Sequence, residues 1–575
     1  MNKFPGILSL AFCIATIGCA ASRSSDRHNG NSPFEYKEIY LPLHGSPEYA
    51  ALGLNSLDND WGIWGHNLDK VLPEKHSHSV YAKVNGETLD NQYCFSSDYL
   101  FRYIVDYIDD NYSPADSMRF AILPNDNNIV CLCETCVALG NKKNDASPAV
   151  TALIGKLAAR FPSHSFFTSD YRTTRALPEE ELPENAGVFI SAIDFPPAAV
   201  NTLDEEQFTS LLNRWNKKTD KVYVWDYIND FDDYFTPYPA FSAMQRRLQL
   251  YRDMNVKGVF LNGSGDDYST FHNLKMQVLA GLLDNPDADW REILRDKASG
   301  LYPVAGNLIA DFIIAQEEYV ESTQSQLPFY NGVNEALKTY LPEKEFIEFH
   351  DRLGEILPET KGSERIDVEK MYKAMALTRL EIMRIKGDID GNGPFIALLE
   401  SLDRDDGITR YSETGWTVPG YVADFREMAR FARETDRNLL KGVRPEPLSK
   451  LDPEYADVTM LTDGLLSLPS NYHNGMMIMS PEGKWRIAVP YIEGMKTLKV
   501  WMPVNKAFRV GVPGRVNLLV GGVLEKSAVP LYPAAPSHHT SVEFNIPSEP
   551  RGSLILEFVP DPDSPTFAIE EIQAF

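Results

Sequence analysis

From Phe34 to about residue 300, short β-type runs alternate with amphipathic helical stretches, and this alternation narrows the possible folds more than any other property of the chain. A strand, a helix and a second strand in that order make the parallel βα unit, whose helices cover the faces of a parallel sheet. The strand runs are "YKEIYLP", "WGIWG", "MRFAILP", "SFFTSD", "GVFISAID", "KVYVWDY" and "VKGVFLN". Between them "DYLFRYIVDYIDD", "PAVTALIGKLAARF", "DEEQFTSLLNRWNKK" and "YPAFSAMQRRLQLYRDM" carry apolar residues every three or four positions, the period of a helix with one buried face. Seven runs approach the eight of a closed barrel. The expected fold is therefore α/β, a (β/α)8-like (TIM) barrel over 34–300, with an open doubly wound sheet as the alternative.

Past residue 300 the rhythm changes. Segments such as "GNLIADFIIAQEEYVESTQ" and "IDVEKMYKAMALTRLEIMRIKGDI" make 301–450 a helical domain, with Gly and Pro confined largely to its joints. Residues 451–575 read as an antiparallel β-sandwich, because "KWRIAVPY", "KTLKVWMP", "RVNLLVGG" and "GSLILEFVP" alternate between Gly and Pro turns.

The N-terminus "MNKFPGILSLAFCIATIGCAAS" has a lysine, an apolar run too short for a stable span, and then small residues, so 1–19 is expected to be an export signal. It ends in "TIGC", which resembles a bacterial lipobox that would lipidate Cys19, with Thr16 where an aliphatic residue is usual. Cleavage by an ordinary signal peptidase stays open. The Ser-, Asn- and Arg-containing stretch 20–33 reads as a disordered tether. The expected location is outside the cytoplasm, as an outer-membrane or cell-surface lipoprotein or in the periplasm, with membrane contact through the lipid alone.

Acidic residues outnumber basic ones 81 to 55, a formal net charge of −26, which argues against nucleic acid as a partner. No G-x-S-x-G elbow, Walker loop or H-E-x-x-H occurs, and no organic cofactor is expected.

Outside the signal region the cysteines are Cys94, Cys131, Cys133 and Cys136, the last three in "CLCETC". Four thiolates close a tetrahedral zinc site and leave no open position for substrate, so the role would be structural. Two disulfides, suited to an oxidising compartment, and buried free thiols remain open.

Acidic residues follow the β-type runs repeatedly: Asp126 in "ILPNDNN", Asp170 in "FTSDYRTTR", Asp194 in "SAIDFPP", Asp226 in "VWDYINDF" and Asp266 and Asp267 in "NGSGDDY". In a barrel these are strand C-terminal ends, where catalytic groups gather. One such Asp alone is an ordinary turn or helix-cap residue; a series of them suits glycoside hydrolysis, which needs one protonated and one ionised carboxyl across the sugar. Asp126 as acid and Asp226 as base or nucleophile are the first choices, Asp170 and Asp267 the next. Trp61, Trp64, Tyr171, Trp225 and Tyr227 offer faces for sugar rings, though core packing would equally account for each alone, and His66, Asn125 and Arg172 offer polar contacts. The expected ligand is carbohydrate. The absence of a Glu at these strand ends keeps a glycan-binding protein without catalysis as the alternative.

One upstream Cys followed by C-x-C-x-x-C is similar to the structural zinc cluster of family 42 β-galactosidases, where it follows an Asn-Glu pair carrying the acid/base. Here the stretch is "PNDN", with the shorter Asp126 in that place. Taken together, "WGIWGHNL", "VNGETLDNQYCFS", "LPNDNNIVCLCETC", "VYVWDYINDF" and "VKGVFLNGSGDDYSTFHNLKMQVLAGLLDNPDADW" resemble the family named domain of unknown function 4838. That resemblance implies a barrel of the glycoside hydrolase kind, distantly similar to α-glucuronidases, and assigns no residue roles. The segment beginning "LTDGL" resembles the opening of galactose-binding-like sandwiches.

Overall fold

The structure, a computed structural model, describes residues 32–575 apart from 199–201, 435–436, 452–456, 472, 474, 507–508, 534–536, 548–549 and 551. The signal, most of the tether and Cys19 lie outside the described residues.

Every strand run read from the sequence forms a strand. In chain order they are β1 (Tyr36–Tyr40), β2 (Trp61–Ile63), the hairpin β3 (Tyr81–Val84) and β4 (Glu87–Tyr93), then β5 (Arg119–Ala121), β6 (Ser165–Asp170), β7 (Ala186–Ser191), β8 (Val222–Tyr227) and β9 (Gly258–Asn262). Seven join in one parallel sheet of order β1-β9-β8-β7-β6-β5-β2, while β3 and β4 pair only with each other.

The sheet curls around an aromatic core to which each of its strands gives one residue: Tyr36, Trp61, Ala121, Phe167, Phe189, Tyr223 and Phe260. Tyr36 on one edge strand meets Trp61 on the other with ring centroids 5.8 Å apart, so the two edges face each other. Gly258 pairs in register with both Tyr36 and Tyr223. A Cβ there would lie 2.5 Å from the Tyr223 ring, and its absence lets Tyr223 stack on Tyr36 at 5.7 Å. Burying such rings stabilises the curl by about 1.5–3 kcal/mol each relative to exposure.

The curl stops short of the expected eight-stranded barrel. Edge strands β1 and β2 are not paired. The connection between them carries short helices, Pro47–Ala51 and Leu57–Asp60, in place of a strand. It is tied to β1 by Asn55 N donating to Lys37 O at 2.8 Å, Lys37 N donating to Asn55 Oδ1 at 3.0 Å and Leu57 N donating to the Glu38 carboxylate at 2.9 Å. Burial in this seam raises the Glu38 pKa to about 8.

Helices Asp98–Asn111 and Ser147–Arg160 cover one part of the outer face; Leu203–Trp215, Ser242–Asp253 and His272–Asp284 cover the rest. Further helices run from Gly306–Thr323 to Val418–Glu434. Their apolar cluster takes in Phe231, Tyr234 and Phe235 together with Leu380, Tyr421 and Phe425, which packs the helical region onto the loop after β8. Residues 446–574 form antiparallel sheets of five, three and two strands around a shared apolar cluster.

Candidate functional site

Strand alternation sorts the polar residues at the C-terminal ends of the sheet. Successive side chains on a strand point to opposite faces, and in β8 Tyr223 and Trp225 pack in the aromatic core while Val222 and Val224 pack against the outer helices. Asp226 follows the outward set. It is fully buried and accepts hydrogen bonds from Tyr251 Oη and from Arg247 Nη1, the latter at 3.5 Å, both on helix Ser242–Asp253. Asp170 in β6 is likewise buried and accepts from Trp215 Nε1 at 2.6 Å; burial raises its pKa to about 6. Both carboxylates are thus taken up by the helix layer, which corrects the expectation that they line the mouth of the sheet.

Trp225, just before Asp226, does face that mouth. Trp225 stacks on Trp64, the residue after β2, at 5.1 Å and 17°, and both touch Phe260, at 4.7 and 4.6 Å, making a partly exposed aromatic floor. Trp61 lies one layer deeper, in contact with Trp64 at 4.9 Å. Tyr227 is buried against Phe231 and Phe329, with its hydroxyl 3.0 Å from Ser191 Oγ, which corrects the expectation that it offers a face to a sugar ring.

Asp126 is half exposed and forms an ion pair with Arg172 at 2.5 Å. Arg172 has a φ of 46° and donates from Nε to the Tyr171 hydroxyl at 2.9 Å. A bulky residue in the left-handed region is uncommon and costly. His66 meets the Pro124 carbonyl at 2.5 Å and the Tyr171 ring at 6.0 Å. Asn125 is anchored to the hairpin through Asn91 O and Gln92 Oε1, each at 3.0 Å. The five residues His66, Asn125, Asp126, Tyr171 and Arg172, drawn from three strand ends, are therefore neighbours.

A second carboxyl arrives from a part of the chain that the sequence reading passed over. The turn 410–417 of the helical region lies along the loop after β8, with Glu413 N donating to Phe231 O and Tyr234 N to Tyr411 O, each at 2.8 Å. It presents Glu413, which accepts from Tyr330 Oη at 2.9 Å. Partial burial raises the Glu413 pKa; the hydrogen bond from Tyr330 opposes it, and the charges of Asp232 and Asp126 add to the rise. Asp232 is buried and pairs with His473 Nε2 at 2.7 Å, so the region before the sandwich also reaches this loop. Asp267 pairs with Arg410 at 3.4 Å and its pKa is raised by partial burial; Asp194 pairs with Arg175 and the exposed Asp266 with His44.

Behind Asp126 the four cysteines converge. Their sulfurs all lie within 4.8 Å of one another, with Cys94 at 3.7 Å from Cys133 and 3.8 Å from Cys136, and none is bridged. About 3.8 Å is the edge of a tetrahedron whose corners lie about 2.3 Å from its centre, the zinc–thiolate distance. Cys133 caps helix Glu134–Leu139 and accepts from Cys136 N at 3.4 Å, while Cys131 accepts from Lys83 N on β3 at 3.3 Å. Such N–H···S bonds favour thiolates. Cys94 follows β4, so the hairpin and the loop after β5 supply the set together, and the set is able to hold a metal ion.

No curated protein matches this sequence. Among solved structures, a GH138 enzyme targeting pectin rhamnogalacturonan II aligns at 8% identity and a TM-score of 0.32 over 94% of this chain and 84% of its own. The lectin domain of lectinolysin, solved with Lewis B antigen, aligns at 15% identity and a TM-score of 0.19 over 24% of this chain and 96% of its own. Residues 56–314, from just before β2 through the outer helices, match the profile described as Domain of unknown function (DUF4838).

Proposed function

We propose that this protein is an exported glycoside hydrolase-like enzyme acting on an oligo- or polysaccharide, with Glu413 as general acid and Asp126 as base or nucleophile. The observation that carries the reading is the unlike setting of two carboxyls at the mouth: Asp126 is ion-paired with Arg172, whereas Glu413 accepts from Tyr330 and partial burial raises its pKa. Carboxyls in such unlike settings can divide the work of acid and base. Glu413 would protonate the departing oxygen while Asp126 attacks the anomeric carbon or draws a proton from water. The Trp64–Trp225 floor and Tyr171 would pack against the sugar's C–H faces, with His66 and Asn125 on its hydroxyls. This reverses the role first expected of Asp126 and replaces Asp226 with Glu413.

The proposal includes a structural zinc on Cys94, Cys131, Cys133 and Cys136, supported by the tetrahedral spacing of the sulfurs. It also includes export through 1–19 and lipidation at Cys19, supported by the N-terminal sequence. The test is product analysis on a panel of defined oligosaccharides with the full chain, Glu413→Gln and Asp126→Asn. Both variants should lose turnover on natural glycosides, and Glu413→Gln should recover it on aryl glycosides whose leaving group needs no proton. Unchanged turnover in either variant sinks the assignment.

The Asp126–Arg172 ion pair favours a second reading, a glycan-binding protein without catalysis, since it engages a carboxylate that hydrolysis would use. That reading predicts binding of the same oligosaccharides with no product.

A further inference from the structure

The turn that carries Glu413 also carries Arg410, and the two serve different spaces. Glu413 is held by Tyr330 at the mouth, whereas Arg410 reaches Asp267 at 3.4 Å across a separate cleft of about 360 Å³ between the loop after β9 and the helical region. One wall of the cleft is Asp267 and Tyr268; the facing wall is Asp367 and Lys370 on helix Gly362–Ala374, with Thr409 and Arg410 from the turn. Its size is that of an ordinary small-ligand site. The backbone of the turn joins the two: Tyr411, between Arg410 and Glu413, accepts from Tyr234 N at 2.8 Å. Three residues of chain span at most about 10 Å, so a substrate held at Glu413 and extended along the turn meets Arg410 next.

Donors and acceptors alternate around this cleft. Lys370 and Arg410 donate, Asp267 and Asp367 accept, and Asp367 is already oriented by Asn273 Nδ2 at 2.9 Å. The Asp267–Arg410 contact is long for an ion pair and partly exposed, so both groups can take up hydroxyl partners. Mixed, closely spaced donors and acceptors of both signs suit a polyhydroxylated, uncharged ring more than an anion or a metal cation. Building on the reading of the mouth as a glycoside hydrolase site, we propose that this cleft is a subsite for a further sugar unit of the substrate, and that the enzyme therefore prefers chains over single glycosides. Asp267 then holds substrate, in place of the catalytic role the sequence suggested.

The experiment uses the full chain and oligosaccharide ladders of one to six units from cellulose, xylan, pectin and chitin, measuring kcat/KM and, by titration calorimetry, affinity at each length. Wild type should gain at least tenfold in kcat/KM once the chain is long enough to leave the mouth. In Arg410→Ala the ratio of long to short substrate should fall by about that factor. Lys370→Ala alters the side of the cleft formed by helix Gly362–Ala374, and it should flatten the same ratio. A loss that is equal for short and long substrates would mean that Arg410 merely positions Glu413, and would overturn the subsite. No gain with length in wild type would overturn it too. Length-dependent affinity that both variants abolish, without any turnover, would sustain the subsite while removing the hydrolase reading.

Discussion

The outer face of the curled sheet and its mouth hold the same kind of residue in opposite ways. On the outer face Asp170 and Asp226 sit at the ends of β6 and β8, buried and saturated by Trp215, Tyr251 and Arg247. On the inner side of the mouth Asp126 and Glu413 keep solvent contact and each has a polar partner that leaves room for another. An acid within a strand follows the strand's alternation, and Asp170 and Asp226 are both turned outward as rivets between sheet and helix. Asp126 and Glu413 sit on loops outside the strands and are left available for chemistry.

The sharpest way to break this comparison is to remove charge from each side and measure turnover and stability together. Glu413→Gln should cost about 100- to 10,000-fold in kcat, the usual weight of a general acid, while urea unfolding shifts by about 0.5 kcal/mol or less, as for an ordinary exposed substitution. Asp226→Ala should show the inverse: about 3–5 kcal/mol of stability lost, because Arg247 is left buried without its counter-charge, and normal turnover in whatever fraction stays folded. If Asp226→Ala instead abolished turnover at unchanged stability, the outer face would be functional and the comparison would fail.

A third measurement probes how the mouth is held. On the zinc proposal, removing the metal from the cysteine set should free the loop that begins at Asp126 and lower turnover by up to about 100-fold through misplacement alone. Elemental analysis before and after chelation, read against activity, checks it; full activity in metal-free protein would separate the clip from the site.

The smallest effect concerns Asp170. Its folded pKa is raised to about 6 from 3.8, so the protonated form is the better folded one. Its contribution is present below about pH 4 and lost as pH rises through about 6. Asp170→Asn keeps an acceptor for Trp215 and removes the loss, so it should stabilise the protein by about 1–3 kcal/mol at pH 8 and flatten the stability profile between pH 4 and 6. Equal stability of variant and wild type at pH 8 would argue that the site is wetter than its burial implies.

Much of the fold was readable because its signals are local. Each sheet strand is an apolar run bounded by polar residues, and each outer helix shows its own period. The hairpin β3–β4 was missed although its signal was present: Asn85 and Gly86, with φ of 52° and 86°, form the two-residue Asn-Gly turn that joins antiparallel strands. Its strands are too polar to stand out by composition. The seven runs of the sheet were legible, and the closure into eight was the barrel template's and not the residues': no run between β1 and β2 signals a strand. Asp226 was misread for a reason the sequence contained. Its neighbour Trp225 faces the mouth, and alternation alone turns Asp226 away. Glu413 and His473 had no local signal at all, because only tertiary packing brings their segments to the loop after β8.

That last feature has a temporal side. Synthesis delivers the sheet first, and its aromatic core can form while the helical region is still unmade. The turn bearing Glu413 must then travel back across a long stretch of chain, the kind of late, high-separation contact that folding reaches slowly. Asp126 is in place early and Glu413 comes last. On the reading given to the mouth, the polypeptide is born inert and becomes an enzyme only when its second half docks, so any partner that delays this docking holds its activity in check.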